Sequence, residues 1–292
     1  MRVAGKYHIS EDFESILKAN IPDYLTETVF HYTPFEGMKG IIEKSELWLS
    51  ERNYMNDVAD EKYIRQIVKN LLKTPNGIAF EGSLLDTHFI DKRPQYIFST
   101  ATEADVAHQW LNYGKGSPFC IEFYRNGLED LINEFASNEW KNGKHIYQDA
   151  YLSSPVFYED EYNELVTLFT KKYKDTLLEY MGELCPDQNK IKELDNARSD
   201  FHLLYDCYKQ RGFYAEHEYR FVIHSDRLPE YRLKNDFLLP YLILKKNKLP
   251  IKSIIIGPYS HDMAMKETLK KFLEKNGYDN IIIKYSKLNM RH

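Results

Sequence analysis

Four places in this 292-residue chain combine residue types and spacing that could do chemistry. The richest is Glu216-His217-Glu218 with Tyr219 and Arg220 beside it, inside the run Phe213–His224, whose alternation and β-prone residues predict a strand. Residues two apart in a strand point to one face, so Glu216 and Glu218 are expected to share a side with Arg220. Acids so placed let one carboxylate stay ionised beside a developing cation while the other orients or deprotonates an acceptor. An edge strand with solvated glutamates and arginine gives the same pattern and is the simpler account of this segment alone. His31, between Phe30 and Tyr32-Thr33, interrupts an otherwise apolar run; a lone strand histidine is more often a hydrogen-bonded core residue than a ligand-binding one. Ser99 and Thr100 end another β-prone run, where hydroxyls also serve as helix caps. In HQWLNYGKG, Trp110 and Tyr113 stand at helical spacing before a Gly-containing loop, and packing is the commoner job for the tryptophan.

The elements that must position these residues can be read from periodicity. Thr28–Thr33 is a strand stopped by Pro34, followed by a helix in FEGMKGIIEK; residues 46–50 form a second strand, and RNYMND a polar turn with Asn56 or Asp57 as N-cap. A helical stripe covers 58–73, and 74–94 loosens into loop and a short helix. Strands at 96–100 and 119–124 flank a helix over 104–112 and the loop YGKGSP, and residues 128–135 are helical. The passage HIYQDAYLSSPVFY is β-prone without an identifiable partner. From 160 to 210 two amphipathic segments, broken near CPDQN, predict a helical hairpin inserted into a β-rich body. Strands at 239–244 and 251–256, a helix over 263–275 closed by Asn276–Gly277, and a final strand IIIKYS complete the chain. The expectation is a single α+β domain over residues 1–292, with about seven strands and a helical insertion at 160–210.

Composition removes several function classes. Lys and Arg number 39 against 44 Asp and Glu, a net charge of −5, which disfavours a general electrostatic grip on nucleic acid. The longest apolar stretch, Phe237–Leu244, contains Pro240 and falls far short of the roughly 20 residues a membrane span needs, so no membrane partner is expected. The N-terminus lacks the apolar region of a secretory signal, which points to a cytoplasmic protein. Cys120, Cys185 and Cys207 show no CxxC spacing, so reduced thiols and no zinc cluster are expected. Tyr, Phe and Trp are spread through nearly every segment, as core and groove lining. P-loop, dinucleotide-fingerprint, HExxH and GxSxG motifs are absent.

Taken in order, HYTPFEGMKGIIEKSELWLSERNYMND, IFST, HQWLNYGKGSPFCIEF, KQRGFYAEHEYRFV and IKSIIIGP resemble the motif string of a widespread bacterial domain of unknown function, number 2971, over about residues 28 to 286. The order of these motifs is in turn similar to that of the ADP-ribosyltransferase fold, in which a first-strand His or Arg, a Ser-Thr motif and a late-strand Glu, often as E-x-E, surround NAD. The resemblance implies a split mixed or antiparallel β-sheet core with the helical hairpin inserted. His31 matches the first position, Ser99 and Thr100 the second, and Glu216 and Glu218 the E-x-E; Ala101 replaces a third hydroxyl, and a first-strand His with an E-x-E is a hybrid combination.

On this reading Glu218 faces the ribose 2′-hydroxyl, Glu216 activates the acceptor, and His31 and Thr33 hold substrate hydroxyls. Ser99 and Thr100 support Glu218, and Tyr32, Tyr54, Trp110 or Tyr113 stack on nicotinamide. NAD is the substrate and no metal is required. Glu218→Gln is expected to abolish NAD turnover and leave thermal stability nearly unchanged. The acceptor, a protein, a nucleic acid or water, carries no sequence signal. A toxin or phage-defence role, with an antitoxin or immunity partner, follows by analogy. Two other readings remain open: a catalytically silent nucleotide- or partner-binding module of the same fold, and a nucleic-acid-processing enzyme with a carboxylate-bound metal, which needs a third acid such as Asp57 or Glu122.

Overall fold

The computed structural model describes residues 5–21, 26–55, 92–113, 119–137, 149–182, 188–234, 237–258, 263–288 and 290. The helix expected over 58–73 with its Asn56 or Asp57 cap, nearly all of 74–94, the loop after Tyr113 and the first part of CPDQN lie outside these residues. In chain order the first strands are β1 (Gly5–Lys6), β2 (Thr28–Thr33), β3 (Glu46–Glu51), β4 (Gln95–Ala101), β5 (Phe119–Tyr124), β6 (Ala150–Pro155) and β7 (Phe157–Tyr158). They continue as β8 (Tyr208–Lys209), β9 (Glu218–His224), β10 (Glu230–Lys234), β11 (Phe237–Lys245), β12 (Ile251–Ile256) and β13 (Ile282–Tyr285). The helices are α1 (Glu11–Asn20), α2 (Phe35–Lys44), α3 (Ala107–Tyr113), α4 (Arg125–Ser137), α5 (Glu159–Gly182), α6 (Gln188–Cys207) and α7 (Met263–Lys275).

The architecture is α+β with one large mixed sheet, ordered β1-β6-β9-β4-β2-β5-β12-β13. A branch, β10-β11-β3, joins it at β4. The pairs β1·β6 and β12·β13 are parallel, and the other pairs of this sheet are antiparallel. The short pair β7·β8 stands apart and is parallel.

Alternation sorts the sheet's side chains between two cores. On one face Ile97, Leu152 and Val222 pack with Phe13 and Leu17 of α1, Phe169 of α5 and Phe201 and Leu204 of α6. On the other, Phe98, Tyr151 and Phe221 pack with Ile42 of α2, Leu128 and Leu131 of α4 and Leu269 of α7. Covering both faces explains why β9 reads as an unbroken buried strand although it carries Glu218, Arg220 and His224. These three share the face of Val222, toward the α5–α6 pair.

The α5–α6 pair occupies the place expected of the helical hairpin. Three expectations need correction. Phe213–His224 is not one strand: Arg211–Glu216 is a 3-10 helix, His217 takes a left-handed conformation (φ 45°), and β9 starts at Glu218. The turn is held off the ladder by Thr102 N–H donating to the His217 carbonyl (2.7 Å) and by the Gln109 amide donating to the Glu216 carbonyl (2.6 Å). The helix expected from 104 starts at Ala107, because Asp105 is also left-handed (φ 61°) and its carboxylate accepts from Trp110 Nε1 and the Lys287 amide. The strands exceed the expected seven or so: β6 and β7 arise in the β-prone passage HIYQDAYLSSPVFY, whose partners are β1 and β9 for β6 and β8 for β7, and short or polar β1, β8 and β10 carry little periodicity of their own.

Candidate functional site

The sheet forks at β4. Tyr96 and Ile97 pair with Glu51 and Ser50 of β3, and Ala101 pairs with Phe30 of β2. Between these pairings β2 and β3 splay apart, and a cleft of about 160 Å³ opens over Ser99. The ladder leaves the Ser99 carbonyl without a strand partner on this edge, and His31 supplies the donor: its Nδ1 lies 3.0 Å from that oxygen. A carbonyl only accepts, so Nδ1 carries the proton and Nε2 is the acceptor nitrogen of the neutral ring. Burial pushes the His31 pKa down, which keeps the imidazole neutral.

Opposite Ser99, across the β4·β9 ladder, stands Arg220, and one step along β9's core-facing side is Glu218. Glu218 is 4% exposed and both of its oxygens are engaged. Oε1 accepts from Ser99 Oγ (2.7 Å) and Arg220 Nε (2.9 Å), and Oε2 from Lys209 Nζ (2.9 Å) and Arg220 Nη2 (3.1 Å). Burial alone would raise its pKa; the charges of Arg220 and Lys209 and the hydrogen bonds from Arg220 and Ser99 outweigh it and hold the carboxyl far below the usual carboxylate range. Arg220 also donates from Nη1 to the carbonyls of Asp206 and Tyr208, which fastens the end of α6 and the start of β8 to the strand bearing Glu218.

Glu216 reaches the same place from the 3-10 turn. Its Oε2 accepts from Lys209 Nζ (2.7 Å) and its Oε1 from the Tyr113 hydroxyl (3.3 Å). The two acids therefore meet through Lys209 and not through strand alternation. Lys209 was not a sequence candidate: it opens the block KQRGFYAEHEYRFV without a role of its own, and only the passage of α6 into β8, paired with β7, brings its ammonium between the carboxylates and 4.9 Å from the Phe213 ring. Formally the cluster of Glu216, Glu218, Lys209 and Arg220 is neutral.

The sequence candidates divide clearly. His31, Tyr32, Ser99, Thr100, Tyr113, Glu216 and Glu218 line the cleft, joined by Lys209, Gln109, Phe213 and Met55, which sequence reasoning missed. Thr100 does not support Glu218, because its hydroxyl donates to the Tyr219 carbonyl (2.8 Å). Thr33 is buried away from the cleft lining, against Gly37, where an added Cβ would come within 2.0 Å of its Oγ1. Tyr54 is exposed and Trp110 is core, 1% exposed, with the Tyr32 ring edge-on to it; neither lines the cleft. Glu122 lies elsewhere, on β5, held by Ser253 Oγ (2.5 Å), Lys284 Nζ (2.9 Å) and Lys252 Nζ (3.1 Å), so it is not the third acid of a metal site. Asp57 lies outside the described residues.

Among the described residues, one group has metal-ligand chemistry. His202, Asp206 and His224 are buried with ligand atoms within 4.8 Å of one another. Asp206 is already bonded to His224 Nε2 (2.8 Å) and paired with Arg52 (3.6 Å). A guanidinium beside the same carboxylate opposes a second cation there. No helix of the described residues is long and apolar enough to cross a membrane.

The cleft thus holds an ionised carboxylate, a second acid, an ammonium bridging the two and a neutral imidazole, in walls that include Phe30, Met55 and Phe213. Such a site can bind a polar ligand and stabilise positive charge developing on it. No curated protein and no solved structure matches the chain. Residues 109–221, which run from Gln109 through Lys209, Glu216 and Glu218 to Phe221 but exclude His31 and Ser99, match the family model described as a protein of unknown function, DUF2971, and this match supports the DUF2971 family for the stretch that carries the charged cluster.

Proposed function

We propose that the cleft is the reaction site of an NAD-consuming enzyme of ADP-ribosyltransferase type, which breaks the nicotinamide–ribose bond and passes ADP-ribose to a macromolecule or to water. One observation carries the reading: His31, Ser99 and Glu218, the three positions named by the resemblance, sit on the adjacent strands β2, β4 and β9 and line one cleft. As the bond lengthens, its electron pair leaves with nicotinamide and the ribose gains oxocarbenium character, which an ionised carboxylate stabilises. Glu218 supplies that charge, and Arg220 fixes its orientation. The ribose 2′-hydroxyl engages Glu218 by replacing Lys209 Nζ on Oε2, while Arg220 keeps its grip. His31 Nε2 accepts a hydrogen bond from a substrate hydroxyl or amide. Glu216 takes the proton that the acceptor loses as its oxygen or nitrogen joins the ribose carbon.

A second reading, a nucleotide-binding module without turnover, is favoured by the four donors that already occupy Glu218. Incubating the purified protein with NAD separates the two. Free nicotinamide measured by chromatography, with release falling about a hundred-fold or more in Glu218→Asp, which keeps the charge but withdraws it, supports the enzyme. Protection from heat by NAD without nicotinamide supports the binder. Neither release nor protection overturns both.

A further inference from the structure

The hairpin β10–β11 presents an apolar surface that the cleft does not use. Leu228, Tyr231, Leu233, Phe237 and Leu238 are each between 60% and 89% exposed. Leu228 precedes β10 and Phe237, opposite Lys234 in the register, lies on the other face; at about 200 Å² for a fully exposed large apolar side chain, Tyr231, Leu233 and Leu238 together present on the order of 400 Å² on one face. Monomers rarely expose a contiguous apolar patch larger than a few hundred Å², whereas a standard interface takes roughly 800 Å² from each partner. The register pairs Leu233 with Leu238 and Tyr231 with Pro240, so these four residues share one face of the hairpin. Among the described residues β10 pairs only with β11, so its outer edge is open to another strand.

We propose that β10 pairs antiparallel with β10 of a second copy of this chain, giving a two-fold dimer with a sheet continuous across it. The sequence of the strand, Glu-Tyr-Arg-Leu-Lys, complements its own reverse. Centred on Arg232, the pairing sets the acid at position 230 opposite the base at position 234 at both ends, and each Tyr231 opposite a Leu233, pairs that stabilise a ladder. The one like-charged pair, Arg232 with its symmetry mate, is relieved because Arg232 leans across its own sheet. Its Nη2 donates to Ser50 Oγ (2.8 Å), and its guanidinium lies 5.4 Å from the Trp48 ring and 5.6 Å from the Tyr241 ring. The contact is isologous and closes on itself, as two-fold interfaces do.

Sedimentation velocity over a rising concentration series tests this on the full chain. A dimer is expected for the wild type and a monomer for Leu233→Asp; Leu233 is exposed, so the fold should survive, and thermal melts check that it does. Glu230→Lys should weaken dimerisation at least ten-fold, and adding Lys234→Glu should restore it, an outcome that general loss of apolar surface would not produce. A wild type that stays monomeric throughout overturns the proposal, as does a dimer that neither Leu233→Asp nor Glu230→Lys affects.

Discussion

At the scale of single residues the decisive fact is that Glu218 is a clamped charge. A strand-end carboxylate facing water could be exchanged for an amide at little cost, and the expectation that Glu218→Gln leaves stability nearly unchanged rests on that picture. The structure replaces it with a carboxylate that is 4% exposed and compensates Arg220 and Lys209, themselves buried. Removing one partner of a buried ion pair leaves an uncompensated charge and costs about 3–5 kcal/mol, whereas removing the charge on both sides costs much less. Glu218→Gln should therefore lower the free energy of unfolding in urea by a few kcal/mol, and Glu218→Gln with Lys209→Met should recover part of it. A loss below about 1 kcal/mol in the single variant would show that the cations find other partners, and the lock between Glu216, Lys209, Glu218 and Arg220 would not exist. Loss of NAD turnover in Glu218→Gln alone is then weak support for a catalytic role, which is why the charge-preserving Glu218→Asp is the better kinetic probe.

At the scale of elements the site depends on a turn between its two acids. His217 is left-handed (φ 45°) with its carbonyl bound to Thr102 N–H, and only this reversal brings Glu216 back over Lys209. Left-handed backbone costs an L-residue about 1–2 kcal/mol and glycine almost nothing, with β-branched residues worst. His217→Gly should leave the urea midpoint nearly unchanged or raise it, and His217→Val should lower the unfolding free energy by more than about 1 kcal/mol; equal effects would mean that the imidazole, not the backbone, holds the turn. The same turn marks where sequence reading stops. Strands β2, β5 and β12 and helix α7 are legible because each keeps one period from end to end, and Gly277, left-handed at φ 80°, closes α7 where Asn-Gly stands in the sequence. His31, Ser99, Glu216 and Glu218 are legible as polar interruptions of β-prone runs. Lys209 is not, since its role arises from α6 running straight into β8 and from β8 pairing with β7, which are tertiary facts. Trp110 and Tyr54 fail for a related reason: aromatic character does not distinguish a residue that packs in the core or faces solvent from one that lines a cleft.

At the scale of the whole molecule the forked sheet has two ends with different electrostatics, and acid should tell them apart. The cleft cluster balances two acids with two bases at the fork, while the far end gathers β5, β12 and β13 around Glu122, which takes donors from Ser253, Lys252 and Lys284. Burial raises the Glu122 pKa, but the hydrogen bonds from Ser253, Lys284 and Lys252 and the charge of Lys284 outweigh it and bring it from 4.5 to about 2. A carboxyl whose pKa is lower folded than unfolded binds fewer protons in the native state, so its stabilisation is complete above the unfolded pKa and is lost as pH falls toward the folded one. For Glu122 that window runs from pH 4.5 down to about 2. Glu218 is likewise held far below the usual carboxylate range, by the charges of Arg220 and Lys209 and the hydrogen bonds from Arg220 and Ser99. The urea midpoint of the wild type should therefore fall across this window, and Glu122→Gln, less stable at neutral pH, should show a shallower fall. Parallel curves for the two proteins would mean that the three-strand edge is not held by this carboxylate. Because β12 joins β5 to β13, hydrogen exchange in the same titration should rise first in β13, the outermost strand of the path, while the β9·β4 ladder around Ser99 and Arg220 remains protected.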